Sequence, residues 1–227
     1  MPRRSSSSTR PIPGRGCLWL ALAVCAVGAR SVDAQGPAPL ELIAPLDNDT
    51  GLGFFVANSV SDDPALRADA ELCTWALDDW VRHSQGRIRV TVADEGDALI
   101  RVYFDALRAG QYGEMRPIRV SGRRGAEVYV RADTEALGPD IASAVRADPL
   151  LRETIVYLTC LHEIGHALGM VHTADFEDVM YFFGFGGDID AFFGRYRARL
   201  ERRRDIVNES GLSGGDIAQL LAAYPDD

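Results

Sequence analysis

The sequence contains no lysine: all 24 basic residues among its 227 are arginine, set against 33 Asp and Glu, for a formal charge of −9. An acidic excess gives no overall field to draw phosphates or anionic lipid, which weighs against nucleic-acid binding. The arginine-only basic set is what a GC-rich coding sequence yields, and no function is built on it. No apolar run approaches the roughly 18 residues of a membrane-spanning helix, which excludes an integral membrane protein. The hydrophobic content of 47% is too high for a disordered chain. Internal repeats are lacking, and Ser5–Ser8 is the only low-complexity stretch. Cysteine and histidine are scarce, four of each, so every one can be weighed singly. What remains is the length of one ordinary globular domain.

The N-terminus has the pattern of a secretory signal peptide. Arg3, Arg4, Arg10 and Arg15 precede an apolar stretch from Cys17 to Ala29, and small residues allow cleavage after Ala29 or, preferably, after Ala34. Residues 1–34 are therefore expected to be removed, and the remainder to be secreted or periplasmic and still more acidic. A lipoprotein anchor at Cys25 is disfavoured, because Val24 stands where a small residue is expected. Cys73 and Cys160 are then the only mature cysteines. Export would permit them to pair, and two separately buried thiols are equally compatible with the sequence.

Residues 35–53 read as a Pro-containing linker leading to a strand from Phe54 to Asn58, and residues 54–227 as the folded domain. Asp62-Asp63-Pro64 opens an amphipathic helix that ends near Gly86. Alternation over Arg87–Val92, a β-rich run over Ala98–Phe104 and a hairpin over Ile118–Val130 predict a small mixed sheet. A loop through Gly138-Pro139 follows, and then helical spacing from Leu150 to Leu168. The order predicts a single α+β domain.

The chemistry lies at the end of that second helix. In His162-Glu163-Ile164-Gly165-His166 two histidines stand at i and i+4, on one helix face and one turn apart, where both can bind one ion. Gly169 can take the left-handed conformation that ends a helix, and the turn can bring His172 back as a third ligand. Three neutral imidazoles suit Zn²⁺ at about 2.0–2.1 Å and leave a fourth position for water, the arrangement of a catalytic rather than a structural site. Glu163 is placed to take a proton from that water and give it to a leaving amine. Five such fixed positions arise by chance in about one chain of this length in 10⁵, so core histidines are the weaker reading. His83 has no histidine or cysteine near it and reads as structural.

HEIGHALGMVH resembles the metzincin clan of zinc endopeptidases, whose signature is H-E-x-x-H-x-x-G-x-x-H followed by a methionine turn. Asp178-Val179-Met180-Tyr181 supplies the candidate turn, and the eight residues from His172 to Met180 look like the matrixin branch. The resemblance implies a metzincin-like zincin catalytic domain: a small mixed sheet, an active-site helix, a Met-turn and a C-terminal helix near Leu212–Tyr224 with Ser213 as N-cap. It makes Met180 an apolar floor beneath the ligands and assigns Tyr181 to the substrate-pocket wall. It also implies a peptide or protein substrate lying extended along an edge strand, one of the two strands between Ile118 and Val130.

The chain departs from the matrixin pattern in several places. Phe182 follows Tyr181 where a proline is usual, and the segment from Phe182 to Gly211 is long and contains an amphipathic helical pattern from Ile189 to Val207. Its arginines, Arg195, Arg197, Arg199, Arg202, Arg203 and Arg204, read as a solvated helix face, with a basic flap over acidic substrates as the sharper alternative. A cysteine-switch segment and the histidines of a second zinc site are not found. The acidic loops Asp94–Asp97 and Gly186–Asp190 hold oxygen ligands of the kind Ca²⁺ takes, but without a recognisable spacing, and ordinary turn chemistry explains them. The expectation is a secreted zinc endopeptidase. Its alternatives are an exported zinc-containing binding domain with a covered cleft, and a zinc hydrolase acting on a non-peptide amide.

Overall fold

The computed structural model describes residues 43–105, 107 and 111–226. The signal-peptide reading of residues 1–34 lies outside them, as does the linker up to residue 42. Among the described residues, five strands and five α-helices form a mixed α/β arrangement. In chain order these are β1 (Leu52–Val56), α1 (Pro64–His83), β2 (Val90–Val92), β3 (Ile100–Phe104), β4 (Gly113–Val120), β5 (Arg123–Val130), α2 (Pro139–Ala147), α3 (Pro149–Ala167), α4 (Ile189–Arg197) and α5 (Gly214–Ala223).

The sheet runs β2-β1-β3-β5-β4, parallel except for β4, which pairs antiparallel with β5 and forms one edge. Period-two alternation sorts its faces. Phe54 and Val56, Ile100 and Val102, and Ala126, Val128 and Val130 are buried, while Phe55, Tyr103 and Tyr129 line up on the other side with ring centroids 6.2 and 5.5 Å apart.

Against the buried face lie α1 and α3, both started by the same device. The Asp63 carboxylate accepts the Ala65 amide at 2.8 Å ahead of Pro64, and the Asp148 carboxylate accepts the Leu150 amide at 3.1 Å ahead of Pro149. Trp80 is fully buried between the two helices and donates its indole N–H to the Leu161 carbonyl at 2.9 Å. Cys73 of α1 and Cys160 of α3 form a disulfide, with Cα atoms 5.1 Å apart, which closes the pairing the sequence left open. At the N-terminal end of α3, Arg152 grips Asp69 of α1 with two bonds of 2.6 and 2.8 Å.

Several boundaries differ from expectation. β1 starts at Leu52, inside the stretch read as linker, and Leu46 is buried with its amide donating to the Tyr224 hydroxyl at 3.0 Å. The hairpin is centred where expected, but β4 begins at Gly113, five residues before Ile118. Gly113 and Pro117 disguise it, being poor strand formers that an edge strand tolerates. Residues expected as loop after Gly138 form α2. The pattern from Ile189 to Val207 is two pieces, α4 and a 3₁₀ turn over Arg203–Val207, because the Asp205 carboxylate accepts the Glu201 and Arg202 amides and starts a new turn. No helix among the described residues is long and apolar enough to cross a membrane.

Candidate metal centre and cleft

α3 carries His162 and His166 one turn apart and stops in a Schellman arrangement. Gly169 has φ +97°, its amide donates to the His166 carbonyl at 3.0 Å, and the Met170 amide donates to the Gly165 carbonyl at 2.9 Å. A β-carbon on Gly169 would also meet the backbone of Pro45 at 2.5 Å, so two constraints coincide at this residue. The turn brings His172 back toward the helix.

The ring nitrogens then sort by role. A carbonyl only accepts, so the Nδ1 atoms of His162 and His166 must be the donors toward the Val179 carbonyl at 2.7 Å and the Met170 carbonyl at 2.9 Å. This leaves both Nε2 atoms as bare acceptors. They face His172 Nε2 at 3.3 and 3.1 Å. One proton on His172 is the most that these three nitrogens can share, so lone pairs converge where a cation would sit. Burial, the main cause, holds the pKa of His162 down at about 3 and that of His166 at about 4, and lowers His172 as well. The imidazoles are thus in the neutral form that a metal needs. Among the described residues, His162, His166 and His172 are the group that could hold a metal ion.

Met180, in the loop after His172, is fully buried. A β-carbon on Gly165 would lie 2.5 Å from the Met180 sulfur and 2.9 Å from the Trp80 ring, so the glycine inside the helix lets Met180 pack against α3. The loop from Thr173 to Tyr181 closes on itself, with the Thr173 amide donating to the Met180 carbonyl at 2.9 Å and the Phe182 amide to the Thr173 carbonyl at 3.1 Å. Its far side is pinned by Asp216 of α5, whose carboxylate accepts the amides of Val179 at 2.8 Å, Met180 at 3.2 Å and Ser213 at 2.8 Å. Ser213 caps α5 as expected.

Glu163 is 8% exposed. Burial raises its pKa to about 8, the carboxylate of Glu114 adds to the rise, and the Met115 amide opposes it. Gly113 at the start of β4 approaches closely enough that a β-carbon there would lie 2.5 Å from Glu163 Cγ. Around these groups runs a cleft of about 460 Å³ between β4, α3 and the segment after Met180. Tyr181 lines it and donates its hydroxyl to the Gly186 carbonyl at 2.9 Å, while Phe182 stacks on His172 with centroids 4.7 Å apart.

The other sequence candidates lie elsewhere. His83 bonds to Asp79, away from the cluster. Asp188 spends its carboxylate capping α4, and Glu95 accepts the Tyr103 hydroxyl, which is turn and strand chemistry rather than a converging oxygen set. The arginines of the long segment are largely engaged: Arg195 with the carbonyls of Phe176 and Glu177, Arg197 with Asp148, Arg199 with Glu209, Arg202 with Asp205, and Arg203 with Glu71 and Glu153.

Gly113, Gly165 and Asp216 escaped sequence reasoning. For Gly165 a signal existed, since a mid-helix glycine costs about 1 kcal/mol and asks for a packing reason. No family model matches the chain, and no curated protein matches it in sequence.

Proposed function

We propose that the chain is an exported zinc endopeptidase of the metzincin type, matrixin-like in its Met-turn spacing. The observation that carries this reading is the convergence of three imidazole Nε2 atoms, two of them bare acceptors, beside a buried carboxylate in an open cleft. His162, His166 and His172 would hold the ion, and their neutral, carbonyl-oriented rings fit zinc. When bound, zinc supplies Lewis acidity toward a scissile carbonyl and toward water.

The protein's own residues would do the rest. Glu163 receives the proton of the attacking water and hands it to the leaving amine nitrogen, a role that its place in the cleft lining beside the three histidines supports. Val179 and Met170 carbonyls hold the ligand rings in one tautomer. β4, the sheet edge whose first residues Gly113 and Glu114 line the cleft, is the strand along which an extended peptide would pair, up to Pro117, which lacks an N–H to continue the ladder. The Cys73–Cys160 disulfide accords with export to an oxidising compartment.

A second reading, a zinc-containing binding domain, draws support from Phe182, whose ring lies against the third ligand. Hydrolysis of casein by the purified chain, with and without a zinc chelator, separates the two. Cleavage abolished by the chelator and restored by zinc is expected. A folded, zinc-loaded chain that cleaves neither casein nor a broad peptide library contradicts the peptidase reading.

A further inference from the structure

The cleft that holds the histidines is also lined by Leu158 and Val179 and, on α4, by Phe192 and Phe193, which form one wall of it. Behind that wall is a second cavity of about 270 Å³, and the two spaces share Leu158, Val179 and Phe192 as lining residues. They are neighbours across one layer of side chains. Leu158 belongs to α3, and Val179 is pinned through its amide by Asp216. Phe192 alone belongs to the long segment after Met180.

The surroundings of its ring differ on the two sides. Phe183 and Phe193, both lining the cleft, meet it edge to face with centroids 4.9 and 5.3 Å away. The guanidinium of Arg195, which lines the rear cavity, lies 4.5 Å from its centroid. Arg195 is itself held by the carbonyls of Phe176 and Glu177. The ring therefore has a fixed cation behind it and an aromatic chamber in front.

We propose that Phe192 is a specificity-determining residue: it partitions the two cavities and sets how deep a side chain next to the scissile bond can enter. This rests on the peptidase reading, because it takes the occupant to be a peptide side chain. A benzyl or branched apolar side chain fits the chamber before Phe192 and meets ring edges there. A side chain longer by a second ring collides with Phe192, and Arg195 blocks its retreat.

The test uses a zinc-loaded Glu163→Gln background and two peptides that differ at one residue beside a fixed bond, phenylalanine in one and 4-phenylphenylalanine in the other. Binding is measured by calorimetry, and the same peptides are offered to the active chain. The expected result is at least about tenfold tighter binding of the phenylalanine peptide when Phe192 is present. Phe192→Ala abolishes or inverts that preference, and Phe192→Leu, which keeps an apolar partition, falls between. Circular dichroism checks folding of each variant, and if Phe192→Ala does not fold, the Phe192→Leu ratio decides. Equal binding of both peptides to the parent, binding of neither, or an unchanged ratio in a folded variant overturns the proposal. Discriminating binding without cleavage of either peptide by the active chain leaves the partition standing and overturns the peptidase reading. Cleavage with an unchanged ratio does the reverse.

Discussion

Gly113 and Glu163 are so close that a β-carbon on the glycine would lie 2.5 Å from Glu163 Cγ and 2.7 Å from its Oε1. The first residue of the edge strand thus fixes where the proposed base can stand. Gly113→Ala must push Glu163 or β4 aside. The expected outcome is a loss of at least about 100-fold in kcat/KM with zinc content unchanged, in line with what a positioned acid–base group contributes. Stability should fall by about 1–3 kcal/mol, the usual range for overpacking. Steady-state kinetics beside metal analysis and urea unfolding check both parts; unchanged kinetics would show that this close approach is irrelevant to the chemistry.

Asp216 never touches a histidine, yet it holds the amide of Val179, whose carbonyl orients His162. Asp216→Ala leaves the amides of Val179, Met180 and Ser213 without their partner in a buried place, at about 1–3 kcal/mol for each that water cannot reach. Zinc affinity should drop about 10–100-fold, the range for groups that orient a ligand. A competition titration with a zinc-binding dye measures it.

The convergence of the three histidines was legible because it is local. Two histidines one turn apart, a helix-ending glycine, a third histidine and a methionine eight residues on are all statements about neighbours in sequence. Asp216 and Gly113 were not legible, since their meaning comes from partners that the chain brings back from far away. β4 was truncated in the reading by its glycine and proline, and the edge strand could be told from its partner only once the sheet order was known. α2, nine residues opened by Pro139, is too short for its periodicity to stand out from a loop. The α1 and α3 periodicities, by contrast, are long and capped by Asp-Pro pairs, and both helices fell where expected.

Acid should destabilise the metal-free protein. His162 and His166 have folded pKa values of about 3 and 4, against about 6.5 unfolded, so between those values the unfolded chain binds more protons. Each contributes a loss of up to about 1.4 kcal/mol per unit as pH falls below about 6.5. Glu163 runs the other way: its folded pKa of about 8 exceeds the unfolded value, so it gives back one such slope as pH falls from about 8 to 4.5. The histidine pair outweighs it, and the net change is a loss below pH 6.5. Urea unfolding of chelator-treated protein at pH 7 and pH 5 measures this, and Glu163→Gln should steepen the decline. A rise in stability toward pH 5 would contradict these assignments.

Reducing Cys73–Cys160 opens a link across a sequence separation of 87 residues between the two core helices. Chain-entropy arguments put the stabilisation at about 4–5 kcal/mol for a loop of that length. Denaturant unfolding with and without a reductant, and of Cys73→Ala/Cys160→Ala, should show it. A change below about 1 kcal/mol would mean that Trp80 and the surrounding core hold α1 to α3 without the link.

The central claim is that Glu163 moves protons in a zinc site built by His162, His166 and His172. Its most direct test is Glu163→Gln, which keeps the shape of the side chain and removes its basicity, measured for zinc content and peptide hydrolysis in the same preparation. One zinc per chain with hydrolysis reduced at least about 1,000-fold is the predicted result. Hydrolysis within a few-fold of the parent at full zinc occupancy would contradict the account.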